Sequence, residues 1–126
     1  MTARGVLYFA RHEFRCPCCH HGAVALALVL ALEDVRTLYG GPVVIASGWR
    51  CAAHNARVGG HPQSRHLVGC AVDVAPLDRD RERWEALRLA VVAVARRYGS
   101  DWSTYSDPVR RVIHFQCPRG ARLPLF

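Results

Sequence analysis

Residues 64–74, which read SRHLVGCAVDV, constrain the fold of this chain more than any other segment. His66 and Asp73 are seven positions apart, and residues 71–75 alternate small and β-branched side chains as a buried strand does. A carboxylate inside an apolar strand needs a partner such as a metal ion or an arginine, because an unpaired buried charge is costly. Asp73 is therefore a candidate functional residue.

A second strand-like run, residues 112–116 (VIHFQ), contains His114. Taken alone, a histidine there is more often a hydrogen-bonded core residue than a ligand. Two histidines and one carboxylate, however, can bind zinc through three protein ligands and leave the fourth position for water, as catalytic zinc sites do. The set of His66, Asp73 and His114 makes metal-assisted hydrolysis the leading hypothesis.

The order of predicted elements indicates an α+β fold, with helices packed on one small, mainly antiparallel sheet. The chain has 126 residues, which is the size of one ordinary domain, so residues 1–126 are predicted to form a single domain. Asp78 or Asp80 is expected to cap the longest helix, and Gly40 to end the first. The predicted helices are 23–39, 52–58 and about 80–98; the predicted strands are 43–47 (central), 71–75 and 110–116, with a polar loop at 101–108.

The N-terminus and the longest apolar run bear on localisation. The first residues lack the basic start, apolar stretch and cleavage site of a secretory signal. The run Ala23–Leu32 is too short to span a bilayer. The chain is therefore predicted to be soluble, without membrane insertion and cytoplasmic at synthesis, so that it would reach the periplasm or cell wall by host lysis.

The net charge of +7 comes entirely from arginine, and six arginines lie between Arg79 and Arg97. Such a helix could attract nucleic acid, an anionic membrane or an acidic polymer. Because acidic residues are interleaved with the arginines and no nucleic-acid motif accompanies them, a solvated helix face is the favoured interpretation. No nucleic-acid partner is predicted.

The six cysteines leave three states open: thiols, disulfides or a second metal site. Without a signal peptide the chain starts in a reducing compartment, so buried free thiols are the favoured state, above all for Cys70. Residues 16–21 (CPCCHH) resemble half of a zinc knuckle, but no second CxxC pair completes it. A further ligand could come from one of the remaining cysteines, Cys51, Cys70 or Cys117.

Residues 47–73, SGWRCAAHNARVGGHPQSRHLVGCAVD, resemble the zinc D-alanyl-D-alanine carboxypeptidases. That family also includes phage L-alanyl-D-glutamate endopeptidases, D-Ala-D-Ala dipeptidases and the Hedgehog signalling domain. Its signature is an SGYR-like turn, then SxHxxGxAxD, then a strand histidine near the C-terminus, and all three occur here in order. The resemblance covers nearly the whole chain and implies the Hedgehog/DD-peptidase-like zinc fold.

The resemblance implies roles for five residues. His66, Asp73 and His114 match the zinc ligands, and Arg50 matches the arginine that polarises the scissile carbonyl or stabilises the oxyanion. A fixed guanidinium suits that role because its donors cannot be deprotonated. Ser64 matches a position that contacts substrate or supports the site. The alternatives are that Arg50 pairs with Asp73 or a surface carboxylate, and that Ser64 only orders its loop.

Two positions depart from the family pattern. Arg111 occupies the position of the usual acidic general base, and an arginine cannot accept a proton. Asp107 and His61 are the substitute candidates, unless the metal alone activates the water. Gln116 stands where many members have an aspartate, so a carboxylate that would orient a ligand histidine is expected to be missing.

The resemblance implies zinc-dependent hydrolysis of an amide bond in the peptidoglycan stem peptide. The chain is separately expected to act as a monomer. The reaction would be of the D-Ala-D-Ala carboxypeptidase or murein endopeptidase type, and the loops contain no motif that selects the bond. A phage lysis role and a cellular role both remain open. Because of Arg111, the alternative is a non-catalytic zinc-binding module that binds peptidoglycan or a protein partner.

Overall fold

An antiparallel sheet of four strands organises the chain, in a computed structural model that describes residues 5–126. The strands are β1 (Val43–Ser47), β2 (Ala71–Pro76), β3 (Ser103–Asp107) and β4 (Val112–Gln116). Their order in the sheet is β1-β2-β4-β3, and every neighbouring pair is antiparallel. Together with the helices, this sheet confirms the α+β class predicted from the sequence.

The helices are α1 (Leu26–Tyr39), α2 (Ala52–Arg57) and α3 (Arg81–Tyr98). The predicted ends are largely confirmed: Gly40 ends α1 in the left-handed conformation, and Asp80 caps α3 by accepting the Arg83 amide at 3.1 Å. Within the described residues, no helix combines the length and apolar character needed to cross a bilayer. The signal-peptide prediction concerns the first residues, and residues 1–4 lie outside the described part.

The core lies on one face of the sheet. Val72, Val74, Ile113 and Phe115 from the two central strands are fully buried, and α3 packs against β2, β3 and β4 while α1 packs against α3. Because side chains alternate between the faces of a strand, the residues between these core positions point to the opposite face. Asp73 and His114 are those residues, so the apolar core fixes where they point.

Two strand predictions were wrong. The apolar strand β1 was expected in the centre of the sheet but lies at its edge, where the short 3₁₀ helix Arg11–Phe14 packs beside it. Residues 101–108 were expected to form a polar loop, yet β3 occupies most of this range and pairs with β4. As the other edge strand, β3 is largely solvent-facing, with Tyr105 exposed, and so it lacks the apolar alternation of a buried strand.

Candidate active site

A row of polar side chains crosses all four strands on the face opposite the core. Ser47 pairs with Asp73, Asp73 with His114, and His114 with Tyr105. Residues directly opposite each other on neighbouring strands share a face of the sheet. An irregularity in β1 brings Ser47, rather than Ala46, opposite Asp73. The sheet register therefore assembles this row from four separate parts of the sequence.

The three residues predicted as metal ligands come together in this row. His114 Nδ1 lies 2.9 Å and His66 Nε2 lies 3.3 Å from the same oxygen, Asp73 Oδ1. His66 reaches the row from the short 3₁₀ helix Arg65–Val68 that precedes β2, and it is buried. The ligand atoms of all three residues lie within 4.8 Å of one another, close enough to share one metal ion.

The outer nitrogen of each histidine ring has its own oxygen partner. His66 Nδ1 lies 2.8 Å from the Gly48 carbonyl oxygen, and His114 Nε2 lies 2.9 Å from Gln116 Oε1. A partner that accepts this outer N–H leaves the inner nitrogen of a neutral ring free to bind a metal. Position 116 thus provides no carboxylate, as expected, and the amide oxygen of Gln116 lies at the outer nitrogen of His114 instead.

The cluster contains one buried carboxylate, Asp73, between the two histidines. Burial raises the pKa of Asp73, but hydrogen bonds with His114 and His66, and their charges, outweigh burial and hold this pKa well below its usual range. Burial lowers the pKa of His114, yet its contacts with Asp73 and Gln116 raise it overall. A buried carboxylate anion beside two imidazoles is a donor set that fits zinc.

Three acceptors hold the guanidinium of Arg50 next to this cluster. Its Nε donates to Ser47 Oγ at 3.0 Å, and its two terminal nitrogens donate to Asn55 Oδ1 and Asp73 Oδ2, both at 3.2 Å. The ion pair with Asp73 that was considered from the sequence is therefore present. Because a guanidinium carries five N–H groups, donors remain for a substrate oxygen after these three contacts.

Ser64 and the candidate bases lie in different surroundings. Ser64 Oγ accepts a hydrogen bond from the His66 amide at 3.2 Å. This contact orders the loop, as the alternative interpretation of Ser64 expected. Arg111 donates to the Arg79 carbonyl oxygen at 3.1 Å, and His61 is exposed. Asp107 lines an open cleft of about 270 Å³ together with Asp73 and His114. Of the two substitute bases, only Asp107 lines this cleft.

Three further residues of the site were missed from the sequence. Asn55 is buried and connects Arg50 to the carbonyl oxygen of His61, which accepts from Asn55 Nδ2 at 2.9 Å. Tyr105 and Arg110 line the cleft. Tyr105 could have been found only by recognising β3, because its position follows from pairing with His114. No sequence pattern marks Asn55 as a site residue, because polar residues are common in short helices.

A comparison with known protein families finds that the peptidase M15 profile matches residues 7–105. The chain belongs to the peptidase M15 family. The matched part of this M15 peptidase includes Arg50, Ser64, His66 and Asp73 and ends before His114. His114 joins the site through the register of β4 with β2.

Among solved structures, this M15 peptidase is similar to the crystal structure of the Serratia marcescens L-Ala D-Glu endopeptidase ChiX. The TM-score is 0.60 and the sequence identity 24%, over 76% of this chain and 81% of the other. At this identity the likeness shows a shared fold. No curated protein matches the chain.

Proposed function

We propose that this M15 peptidase uses zinc to hydrolyse an amide bond in the peptidoglycan stem peptide. The observation that carries the proposal is the convergence of His66, Asp73 and His114 within 4.8 Å, beside the fixed guanidinium of Arg50. The similar structure is described as an L-Ala D-Glu endopeptidase, which favours the endopeptidase type over the carboxypeptidase type.

Each side chain of the site has a separate role in the proposed reaction. His66 Nε2, Asp73 and His114 Nδ1 would hold the ion, which when bound supplies a Lewis acid and lowers the pKa of a water ligand to about 7. The free N–H groups of Arg50 would stabilise negative charge on the carbonyl oxygen of the scissile bond. Asp107 would accept the proton of the attacking water, because Asp73, the other carboxylate of the cleft, is occupied by Arg50 and both histidines.

The test is digestion of purified murein and of a synthetic stem peptide, with products identified by mass spectrometry. Metal-stripped protein should be inactive, and added zinc should restore cleavage. Release of L-Ala from the N-terminus of the peptide would identify the endopeptidase, whereas release of the terminal D-Ala would identify the carboxypeptidase. Zinc-loaded protein that cleaves neither substrate at any pH would contradict the proposal.

One observation favours the second candidate, a zinc-binding module without catalysis. Arg111 replaces the expected acid, and its side chain donates to the Arg79 carbonyl oxygen. A module of this kind should cosediment with murein and release no peptide fragment. Measuring binding and cleavage on the same murein preparation separates the two functions.

Other sequence-based predictions remain part of the proposal. Residues 1–126 would form one peptidase domain, act as a monomer and have no nucleic-acid partner. The protein would be made in the cytoplasm and meet the cell wall after lysis. Sedimentation analysis would establish the oligomeric state directly.

A further inference from the structure

A second cluster of metal-binding side chains lies outside the site described above. Cys16 and Cys19 follow the first 3₁₀ helix, and Cys51 precedes α2; we call these three residues the cysteine cluster. Their sulfur atoms all lie within 4.8 Å of one another, and Cys16 Sγ is 3.7 Å from Cys51 Sγ. All three are free thiols, and none belongs to the row on the sheet.

Backbone hydrogen bonds hold the loop that carries two of the three cysteines. The loop is closed by two backbone hydrogen bonds, from the His20 amide to the Cys16 carbonyl at 2.8 Å and from the Cys16 amide to the His21 carbonyl at 2.9 Å. These bonds fix the loop that carries Cys16 and Cys19, and cysteine binds metals as a thiolate.

We propose that Cys16, Cys19 and Cys51 bind a second zinc ion as thiolates, with water as the fourth ligand. The two-residue spacing between Cys16 and Cys19 is the spacing of zinc-binding cysteine pairs, and Cys51 supplies the ligand that the sequence lacked nearby. Sulfur ligands favour zinc over magnesium or calcium. Cys16 is fully buried, whereas Cys19 and Cys51 are half-buried, so the site is reachable from solvent.

Cys18 is not included in the set. Its sulfur atom accepts from the Arg57 guanidinium at 2.7 Å and lies outside the group whose sulfur atoms are mutually close. Cys18 is also exposed. It therefore offers a matched control, because it is the same residue type in the same loop.

The position of Cys51 gives the second ion a role. Cys51 directly follows Arg50 in the chain, and its sulfur accepts the His54 amide at 3.4 Å at the start of α2. Trp49, which precedes Arg50, donates its amide to the Phe14 carbonyl oxygen at 2.8 Å and so already ties this segment to the N-terminal part of the chain. An ion in the cysteine cluster would strengthen this connection and fix the segment that carries Arg50.

The test is metal content and cobalt spectroscopy on the full chain, purified with a reductant. Wild-type protein should bind two ions, one for each group of ligands, and cobalt should give a sulfur-to-metal charge-transfer band in the near ultraviolet. Cys19→Ser and Cys51→Ser should each lose this band and one ion, whereas Cys18→Ser should keep both. His114→Ala should lose the other ion and keep the band, so the result does not depend on peptidase activity.

Alkylation provides a readout that does not require any variant to fold. In wild-type protein, zinc should slow modification of Cys19 and Cys51 and leave that of Cys18 unchanged, as mapped by mass spectrometry. Three results would overturn the proposal: wild-type protein without a thiolate band, loss of the band in Cys18→Ser, or a Cys16–Cys51 disulfide in protein kept reduced.

Discussion

Arg50 is a single residue held by three acceptors beside the proposed zinc ligands. We expect Arg50→Ala to lower kcat/KM by about 10²–10³-fold, because an oxyanion donor is lost, while zinc content stays unchanged. Arg50→Lys should not restore full activity, since an ammonium cannot reproduce the planar arrangement of donors. Kinetics on a synthetic stem peptide and metal analysis of the same samples test this. Unchanged turnover in Arg50→Ala would assign the residue a structural role.

Gln116 orients His114 through its amide oxygen. Gln116→Leu should weaken zinc binding by about 10–100-fold, as loss of a partner of a ligand histidine does. Gln116→Glu is the matched control, because its carboxylate still accepts the ring N–H and should keep the affinity. Competition titration with a chromophoric chelator measures both. Equal affinities in the two variants would show that Gln116 does not orient the ligand.

Asp107 combines a structural contact with its proposed role as base. Its Oδ1 accepts the amides of Val109 and Arg110, both at 3.0 Å, and so supports the turn between β3 and β4. Asp107→Asn keeps an oxygen acceptor for this turn and removes only the basic oxygen. A loss of about 10²–10⁴-fold in kcat with an unchanged melting temperature would identify the base. A silent substitution would instead indicate that no protein base is needed.

At the scale of elements, Gly69 ends the 3₁₀ helix of His66 and leads into β2. Its φ of 75° is left-handed, and a Cβ atom there would lie 2.5 Å from the Ala23 carbonyl oxygen. Gly40 also has a left-handed φ, 81°, but its Cβ would meet no atom within 4 Å. Gly40→Ala should therefore cost only about 1–2 kcal/mol of unfolding free energy, the conformational part.

Gly69→Ala should cost about 1–3 kcal/mol more than Gly40→Ala, because the clash adds to the conformational strain. Urea denaturation of both variants in the same metal state measures this difference. Equal losses of stability would mean that the Ala23 segment moves aside at little cost.

The elements differ in how far the sequence determines them. Strand β1 has the predicted bounds, because an apolar run between Pro42 and Gly48 has clear ends, but its place at the edge depends on partners that are distant in the chain. Strand β3 was missed since an edge strand buries little, and Tyr105 was missed with it. The ligand set could be proposed from local patterns, whereas Asn55 acts through a contact that only the folded chain creates.

At the scale of the whole molecule, the net charge of +7 should matter for a polymeric acidic substrate. The KM for intact murein should rise as the ionic strength rises from about 0.01 to 0.15 M, because the Debye length falls from about 30 to 8 Å. A short synthetic stem peptide is the control and should show a much smaller change. Initial rates at several salt concentrations test this. Equal salt dependence for both substrates would argue against long-range attraction.

The polar row across the sheet also determines which changes of chain length the protein can accept. One residue inserted between Gly69 and Asp73 would turn the carboxylate toward the core, because side chains on a strand alternate between its two faces. The same holds for an insertion in β4 before His114. The seven-residue spacing of His66 and Asp73 therefore fixes which face of β2 carries Asp73, as well as the distance between the two side chains. Length can vary more freely in turns away from this row, such as residues 40–42 between α1 and β1.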